Sequence, residues 1–227
     1  MKQFFLLLFF PMLLWSQSDF EQGEHFFNQK KYAQALPFFS NHLKQNPTDS
    51  KAMEYLGDIA GYQKKWDEAI GYYERLLLKF PKVANYHYKF GGALGMKAKS
   101  VSKFKAFGMI DDIKKAFETA ANLDKKHLDT RWALVIFYIE LPGIVGGSES
   151  KAQKYADELL KLSKVDGYLA KGYIEVYFKR YAKAESYLRR AYEIGHSKTT
   201  FEKLYDLYLN KLKEVEKAKK LKADFDK

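Results

Sequence analysis

The sequence predicts an all-α fold made of about five stacked helix-turn-helix repeats followed by a capping helix. The first observation is a set of residues that recur at an interval of 34 positions. The second is the helical spacing, three to four residues, of apolar side chains inside each interval. The third is composition, since 47% of the 227 residues are hydrophobic and 17% are aromatic. That content supplies a core and excludes collagen-like, low-complexity and wholly disordered chains.

The 34-residue interval is marked by glycine at Gly23, Gly57 and Gly91. Small residues at the glycine and alanine columns let two helices approach closely, and an aromatic column fills the space between neighbouring units. Proline near the end of the interval stops the second helix. The other pairs that share the interval are Tyr32 and Trp66, Ala35 and Ala69, Phe39 and Tyr73, and Pro47 and Pro81. Each unit is therefore predicted to be two short amphipathic helices.

These residues resemble the tetratricopeptide repeat family. The second unit carries the family's columns at Met53, Leu56, Gly57, Ala60, Trp66, Ala69, Tyr73 and Pro81. The first unit carries them at Gly23, Phe26, Ala35, Phe39 and Pro47. The family has Trp at the Met53 column and Tyr at the Ala60 column, so the sequence departs from the pattern there. The resemblance implies a right-handed α-solenoid whose concave groove is formed by the first helix of each unit.

The predicted organisation after residue 18 is a single domain over residues 19–227. The third unit carries about ten inserted residues near Gly95 to Gly108, and the Pro/Gly-rich stretch Leu141 to Ser150 interrupts the fourth. Residues 199–226 are predicted to form one long helix that caps the array. The five units are expected near residues 19–49, 50–83, 84–127, 128–164 and 165–196.

Residues 1–18 have the pattern of a secretory signal peptide. Lys2 gives the positive start, and Phe4 to Trp15 is an uncharged apolar run too short to span a bilayer. Small residues favour cleavage after Ser18 or, nearly as well, after Ser16. An uncleaved N-terminal anchor is the alternative. We therefore expect an exported protein, periplasmic or secreted, of bacterial origin.

Catalytic and metal-binding patterns are missing from the sequence. Cysteine is absent, which removes disulfides, thiol catalysis and thiolate metal sites. There is no nucleophile elbow and no phosphate-binding loop. Asp111 and Asp112 are explained as acidic residues at a helix start. The histidines show no metal-ligand spacing; they are His25, His42, His87, His127 and His196. We expect no enzyme activity, no cofactor and no metal.

The resemblance implies that a protein or peptide segment binds in the groove. Its columns correspond to Phe20, Glu24, Phe27, Asn28, Glu54, Asp58, Tyr62, Tyr88, Met96 and Trp132, with Ile136 and Glu140 as further positions. The subfamily that clamps acidic chain ends needs Lys and Asn at several of these columns. Here they hold aromatic and acidic residues, so that activity does not transfer. The groove is instead expected to prefer extended segments with Lys or Arg beside apolar anchors.

The Lys-rich part of the third-unit insertion offers an alternative function. Basic residues interleaved with aromatic ones can bind anionic lipid surfaces or nucleic-acid strands, although export makes nucleic acid a poor partner. The favoured interpretation is a solvated helix extension whose Phe residues pack on the array. The residues of a possible membrane-surface contact are Lys97, Lys99, Lys103, Phe104, Lys105 and Phe107.

The glycine-rich stretch Leu141 to Ser150 also allows two interpretations. It either lets the helices of an irregular unit pack, with Ser148 or Ser150 as a helix cap, or forms a nest for an anion or a peptide terminus. That nest would be made by Gly146, Gly147 and the start of the following helix. Glu149 disfavours an anion. An enzyme site in this loop is the weakest alternative. The leading hypothesis is thus a non-catalytic scaffold or adaptor of the cell envelope, and net charge, +11 for the whole chain, decides none of these alternatives.

Overall fold

The computed structural model describes residues 18–226, so the predicted leader, apart from Ser18, lies outside the described residues. All regular secondary structure in this range is helical. The α-helices are α1 (Asp19–Asn28), α2 (Tyr32–Gln45), α3 (Ser50–Tyr62), α4 (Trp66–Lys79), α5 (Ala84–Ser100), α6 (Lys103–Phe107), α7 (Ile110–Leu123), α8 (Leu128–Glu140), α9 (Glu149–Leu162), α10 (Lys164–Tyr177), α11 (Tyr181–Gly195), α12 (Lys198–Asp206) and α13 (Val215–Phe225).

The chain falls into two compact units, which are described separately below. The N-terminal unit ends at Lys65 and contains α1 to α3, whereas the C-terminal unit begins at Trp66 and contains α4 to α13. Antiparallel helix pairs succeed one another along the chain. The predicted all-α class, an α-solenoid type of fold built from helix-turn-helix repeats, is confirmed.

Close approach of helices explains the glycine column of the repeat. A β-carbon built on Gly23 would lie 2.9 Å from the ring of Phe39, and one on Gly91 would lie 3.0 Å from the ring of Phe117. Phe39 is fully buried. In each case the glycine of the first helix leaves room for a bulky residue of the second helix of the same unit, which is the role the sequence predicts for this column.

The turn between the two helices has one geometry in the units without insertions. Lys30, Lys64 and Lys179 occupy the left-handed region, with φ of 59°, 60° and 59°. The amide that follows each of them donates back to the preceding helix, as Lys31 N does to Phe26 O at 2.9 Å. We call this three-residue connection the intra-unit turn. A lysine at this position costs about 1 kcal/mol relative to glycine because its β-carbon crowds the backbone.

The two insertions replace the intra-unit turn. In the third unit, α5 continues to Ser100 and the short α6 precedes α7. In the fourth, a 3-10 turn, Gly143–Val145, lies between α8 and α9. Ser148 caps α9, since its hydroxyl accepts from Lys151 N at 3.3 Å. The loop therefore connects the two helices of an irregular unit and caps the second one, as its structural interpretation predicts.

The helix predicted over residues 199–226 is not continuous, which corrects that prediction. It consists of α12, a π-helical segment, Leu207–Leu212, and α13. The chain reverses at Lys213, whose φ of 62° is left-handed, and Glu214 N donates to Tyr208 O at 2.9 Å. The reversal buries apolar residues of α12, the π segment and α13 in one cluster with α11; these include Leu188, Tyr192, Leu204, Leu207, Tyr208, Ala218 and Leu221.

Side-chain caps fix two helix starts in the N-terminal unit. Ser18 and Glu21 form a capping box on α1, with Glu21 N to Ser18 Oγ at 3.2 Å and Ser18 N to Glu21 Oε2 at 3.0 Å. Asp49 caps α3 by accepting from Lys51 N at 2.8 Å and Ala52 N at 3.0 Å. Its other carboxylate oxygen contacts His42 Nε2 at 2.9 Å.

Replacing Gly167 by alanine should destabilise the protein. A β-carbon at Gly167 of α10 would lie 2.2 Å from the Cα of Leu160 in α9, where backbone cannot yield easily. We expect a loss of about 1–3 kcal/mol in unfolding free energy from overpacking. The matched control is Gly92→Ala in α5, which meets nothing within 4 Å and should gain up to about 1 kcal/mol in helix propensity. Urea unfolding measures both; a stabilised Gly167→Ala variant would show that the helices are not in close contact.

The contribution of Asp49 to stability should depend on pH. Partial burial opposes ionisation, but hydrogen bonds from the Ala52 amide, His42 and the Lys51 amide outweigh it and lower the pKa of Asp49 below its usual 3.8. Because the folded-state pKa is lowered, this stabilisation is present above the unfolded value and is lost as pH falls through the folded one. Asp49→Ala should cost about 1–2 kcal/mol at pH 6, and less at pH 2.5, which lies below the unfolded-state pKa.

The control for this experiment is Asp49→Asn, which keeps the cap but carries no charge. Its unfolding free energy relative to Asp49→Ala should change little between the two pH values. A wild-type advantage over Asp49→Ala that is as large at pH 2.5 as at pH 6 would contradict the assignment.

Candidate functional site

The predicted groove residues of the N-terminal unit gather around Tyr55 of α3. The Tyr55 hydroxyl donates to Glu24 Oε1 of α1 at 2.7 Å. Its ring stacks on Phe39 with centroids 4.5 Å apart and meets Phe27 at 4.7 Å and Phe20 at 6.0 Å. The first helices α1 and α3 therefore share one acidic and aromatic face. We call Phe20, Glu24, Phe27, Tyr55 and Tyr62, with Glu54 and Asp58, the α1–α3 surface.

An exposed aromatic pair extends this surface. Tyr62, at the end of α3, is 60% exposed and stacks on Tyr32 of α2, with ring centroids 4.1 Å apart and planes 5° apart. Phe27 meets Tyr32 at 5.3 Å and Tyr62 at 6.2 Å. The stacked rings hold Tyr62 in place while most of its surface stays open to solvent. It can therefore bury an apolar side chain of a ligand without first losing much side-chain entropy.

The carboxylates of the α1–α3 surface act on the tyrosines beside them. Burial, the hydrogen bond to Glu24 and the charges of Glu24, Glu54 and Asp58 raise the pKa of Tyr55 to about 12. Burial first, then the hydrogen bond with Tyr62 and the charge of Asp58, raises the pKa of Tyr32 as well. Both hydroxyls therefore stay protonated at neutral pH. The surface offers carboxylates and neutral phenols, which suits a cationic ligand.

The repeat columns do not mark Tyr55 or Tyr32 as groove residues. Tyr55 lies one position after Glu54, outside the expected groove columns, and Tyr32 belongs to a repeated column at the start of the second helix. The signal for Tyr55 was its place opposite Glu24 on neighbouring first helices, which requires knowledge of the packing. Asn28, which was predicted to contribute, is exposed at the end of α1.

The predicted groove residues of the C-terminal unit have separate surroundings. The ring of Tyr88 in α5 lies near Phe117 at 6.3 Å and His127 at 5.2 Å, inside the helix packing. Trp132 of α8 donates its indole N–H to Asp166 Oδ1 at 2.9 Å. Met96 is 45% exposed. Tyr88 and Trp132 contact different residues and Met96 is largely exposed, so the structure does not bring the three together around one ligand position.

The two glycines predicted for an anion nest, Gly146 and Gly147, have hydrogen-bonding and packing roles inside the loop. Its amides already donate within the protein, from Gly146 N to Gly143 O, from Gly147 N to Pro142 O and from Ser148 N to Tyr138 O. A β-carbon at Gly147 would lie 1.8 Å from the carbonyl oxygen of Leu141, which explains this glycine by close packing. The amides of Gly146 and Gly147 are thus engaged within the loop.

Charged side chains join the second helix of the fourth unit to the fifth unit. Arg180 Nη2 contacts Glu149 Oε1 and its Nε contacts Glu175 Oε2, both at 2.5 Å. Glu175 is buried, at 5% exposure, so the Arg180 guanidinium supplies the partner its charge needs. The Glu at this position, where the repeat expects an aromatic residue, is explained by that ion pair.

The Phe residues of the Lys-rich insertion do not pack on the array, so the favoured sequence interpretation of them is wrong. Phe104 is 89% exposed and Phe107 is 63% exposed. Lys97 and Lys99 do extend α5, as predicted, and are paired with Asp67 and Glu140 respectively. Two exposed aromatic side chains on one short helix form a candidate interaction surface.

Within residues 18–226, no group of three or more His, Asp or Glu side chains is arranged to hold a metal ion. None of the helices in the described part of the chain has the length and apolar character required to cross a membrane.

Comparison of the fold with solved structures finds tetratricopeptide repeat proteins. A thermophilic TPR protein from Thermus thermophilus is similar at a TM-score of 0.70 and 15% identity over 84% of this chain and 97% of its own. PilW, a type IV pilus biogenesis factor, is similar at 0.69 and 14% identity over 91% and 90%. YrrB, a TPR protein with an unusual peptide-binding site, is similar at 0.53 and 14% identity over 80% and 87%. No protein-family model and no curated protein matches the sequence. The likeness shows that the chain has the tetratricopeptide repeat fold.

The hydrogen bond between Tyr55 and Glu24 should couple α1 to α3 energetically. In a double-mutant cycle of Tyr55→Phe and Glu24→Gln, urea unfolding should give a coupling energy of about 1–2 kcal/mol. The matched cycle replaces Tyr55→Phe by Tyr62→Phe, whose hydroxyl faces Tyr32, and should give a coupling near zero. Equal coupling in the two cycles would contradict the central place of Tyr55 in this surface.

Proposed function

We propose that this protein is a non-catalytic scaffold or adaptor that binds an extended protein or peptide segment on the α1–α3 surface. The observation that carries the proposal is the combination of a stacked, exposed Tyr62 with the carboxylates Glu24, Glu54 and Asp58 on neighbouring first helices. An aromatic platform beside fixed negative charge provides both burial and electrostatic selection.

The ligand that fits this chemistry carries Lys or Arg beside an apolar side chain. The carboxylates attract the cation, and the Tyr62 and Phe27 rings supply apolar contact and cation–π attraction. The rest of the molecule is basic, since the whole chain carries +11. A basic segment is therefore repelled by most of the protein and drawn to its acidic face, which favours a defined docking position over general adhesion.

The hydroxyl chemistry of this surface favours binding over catalysis. The Tyr55 phenol donates its proton to Glu24, and its pKa of about 12 keeps it from acting as a base or nucleophile near neutral pH. The fold comparison is consistent with binding, because the solved structure of YrrB is described as having a peptide-binding site. Tyr88, Met96 and Trp132 stay predicted contact residues of the C-terminal unit.

The proposed location is the cell envelope. It rests on the leader pattern of residues 1–18, with Lys2 before the apolar run Phe4 to Trp15. Cell fractionation and N-terminal sequencing of the protein from its host test this part separately. A chain that keeps Met1 and stays in the cytoplasm would contradict it without affecting the binding proposal.

Charge reversal on α3 should weaken partner binding. The experiment uses the chain from Gln17 onward as bait in an envelope extract, with cross-linking and mass spectrometry to identify the bound protein. For that partner, Glu54→Lys/Asp58→Lys should weaken binding at low salt at least about tenfold, because two attractive charges become repulsive. The matched control is Glu202→Lys/Asp206→Lys, which places the same two reversals at the same spacing on α12.

Two outcomes would contradict the proposal. One is equal affinity of wild type and the α3 variant at low salt, and the other is an equal loss in the α12 control. Peptides derived from the partner then separate the contribution of charge from that of apolar contact. Removal of their Lys or Arg should reproduce the loss of affinity seen with the α3 variant.

A further inference from the structure

We propose that the two insertions of the C-terminal unit together bind an anionic lipid surface. The lipid contact is made by Phe104 and Phe107 of the first insertion and Ile144 of the second, with Lys103 and Lys105 contacting the headgroups. This surface is separate from the α1–α3 surface and does not depend on it.

Both insertions leave the array at the same edge. Each replaces the intra-unit turn, and turns at equivalent positions of successive helix pairs line one side of a repeat array. Within the C-terminal unit, an ion pair links the ends of α5 and α8, since Lys99 Nζ lies 2.6 Å from Glu140 Oε2. Lys97 further ties the end of α5 to Asp67 at the start of α4. Phe104 follows Lys99 by five residues and Ile144 follows Glu140 by four, so both start from this junction.

The apolar side chains at this edge are among the most exposed in the described chain. Ile144 is 97% exposed, Phe104 is 89% exposed and Phe107 is 63% exposed. Ile144 lies at the tip of a loop closed by hydrogen bonds from Val145 N and Gly147 N to Pro142 O, at 3.0 and 3.1 Å. The loop therefore presents Ile144 in a fixed position, and the short α6 presents Phe104.

The charge at this edge selects an anionic surface. Lys103 and Lys105 flank Phe104, are exposed, and take part in no ion pair within residues 18–226. The acidic residues nearest the loops have partners, Glu140 with Lys99 and Glu149 with Arg180. Of the acidic pair that opens α7, Asp111 is paired with Lys114 at 3.4 Å, whereas Asp112 is exposed and leaves one negative charge against the two lysines. Two free lysines beside exposed apolar side chains match an interface of negative headgroups over hydrocarbon.

The shape of this edge favours a lipid surface over a protein partner. Its apolar side chains are highly exposed and project from a five-residue helix and a loop tip. A stable protein interface needs about 800 Å² of complementary surface on each partner. A bilayer is fluid and accommodates separate projecting side chains without matching pockets. The lipid surface is therefore the occupant that this arrangement fits.

Vesicle flotation tests the proposal on the chain from Gln17 to Lys227, which contains every helix described above. The first 16 residues are left out because their apolar run would itself bind vesicles. The wild-type protein should float with phosphatidylglycerol vesicles at 0.1 M salt and remain at the bottom with phosphatidylcholine vesicles. Binding should fall sharply at 1 M salt, where the Debye length shrinks from about 10 Å to about 3 Å.

Three variants locate the contact. Lys103→Gln/Lys105→Gln should weaken binding to phosphatidylglycerol vesicles about 30-fold, since each lysine near such a surface contributes about 1 kcal/mol. Phe104→Ser and Ile144→Ser should each weaken it at least about tenfold. Because all four side chains are exposed, circular dichroism and the thermal midpoint should be unchanged.

Matched controls carry the same changes elsewhere. Lys220→Gln/Lys222→Gln removes two exposed lysines with the same spacing from α13, and Leu78→Ser removes an apolar side chain that is 84% exposed on α4. Both should bind vesicles as wild type does. Absence of vesicle binding, equal binding to both lipids, or equal losses in the control variants would overturn the proposal. So would capture of a protein through Phe104 and Ile144 that the phosphatidylglycerol vesicles fail to displace.

Discussion

The fold depends on how closely neighbouring helices approach at a few small residues. A pair of short helices cannot bury its apolar faces alone, so helices must lie tightly together both within a pair and between successive pairs. Gly23 and Gly91 accept a phenyl ring, and Gly167 lies against the backbone of Leu160. Where these distances are kept, the large side chains of the second helices are buried, as Phe39 and Phe117 are. The aromatic side chains of the core can therefore be buried only because glycine stands opposite them.

Tight helix packing leaves the connecting turns as the part of each unit that can vary. The repeat units without insertions keep a three-residue turn in which a lysine has left-handed backbone angles. The third and fourth units insert longer segments at that place, while their helices still pair. The proposed lipid contact and the proposed peptide contact therefore belong to different parts of the repeat. The first lies on the turns and the second on the first-helix faces, so one chain has room for both.

Much of this architecture was predictable, because the residue type at each position of the repeat reflects how that position packs. The glycine and aromatic columns predicted which side chains would meet, and Pro/Gly-rich Leu141 to Ser150 predicted an interruption. The break at Lys213 was not predictable, since neither glycine nor proline marks it. It arises because α13 buries Ala218 and Leu221 only if the chain turns back there.

The candidate site was predicted less completely than the fold. Phe20, Glu24 and Phe27 were placed by the repeat columns, but Tyr55 joins them through a hydrogen bond between helices, which no column records. The exposure of Phe104 was missed for a similar reason. A Phe within a helical pattern normally packs, and only the position of α6 relative to α5 and α7 shows that this one has nothing to pack on.

The capping box at Ser18 gives the two candidate leader-cleavage sites different consequences for the folded protein. Cleavage after Ser16 would leave Ser18 and both of its hydrogen bonds with Glu21 in place. Cleavage after Ser18 would remove the cap and put the new amino group, a positive charge, at the positive end of the α1 dipole. α1 carries Glu24 and Phe27. The choice of a processing site two residues apart would therefore set how firmly the proposed binding face is held at its outer edge.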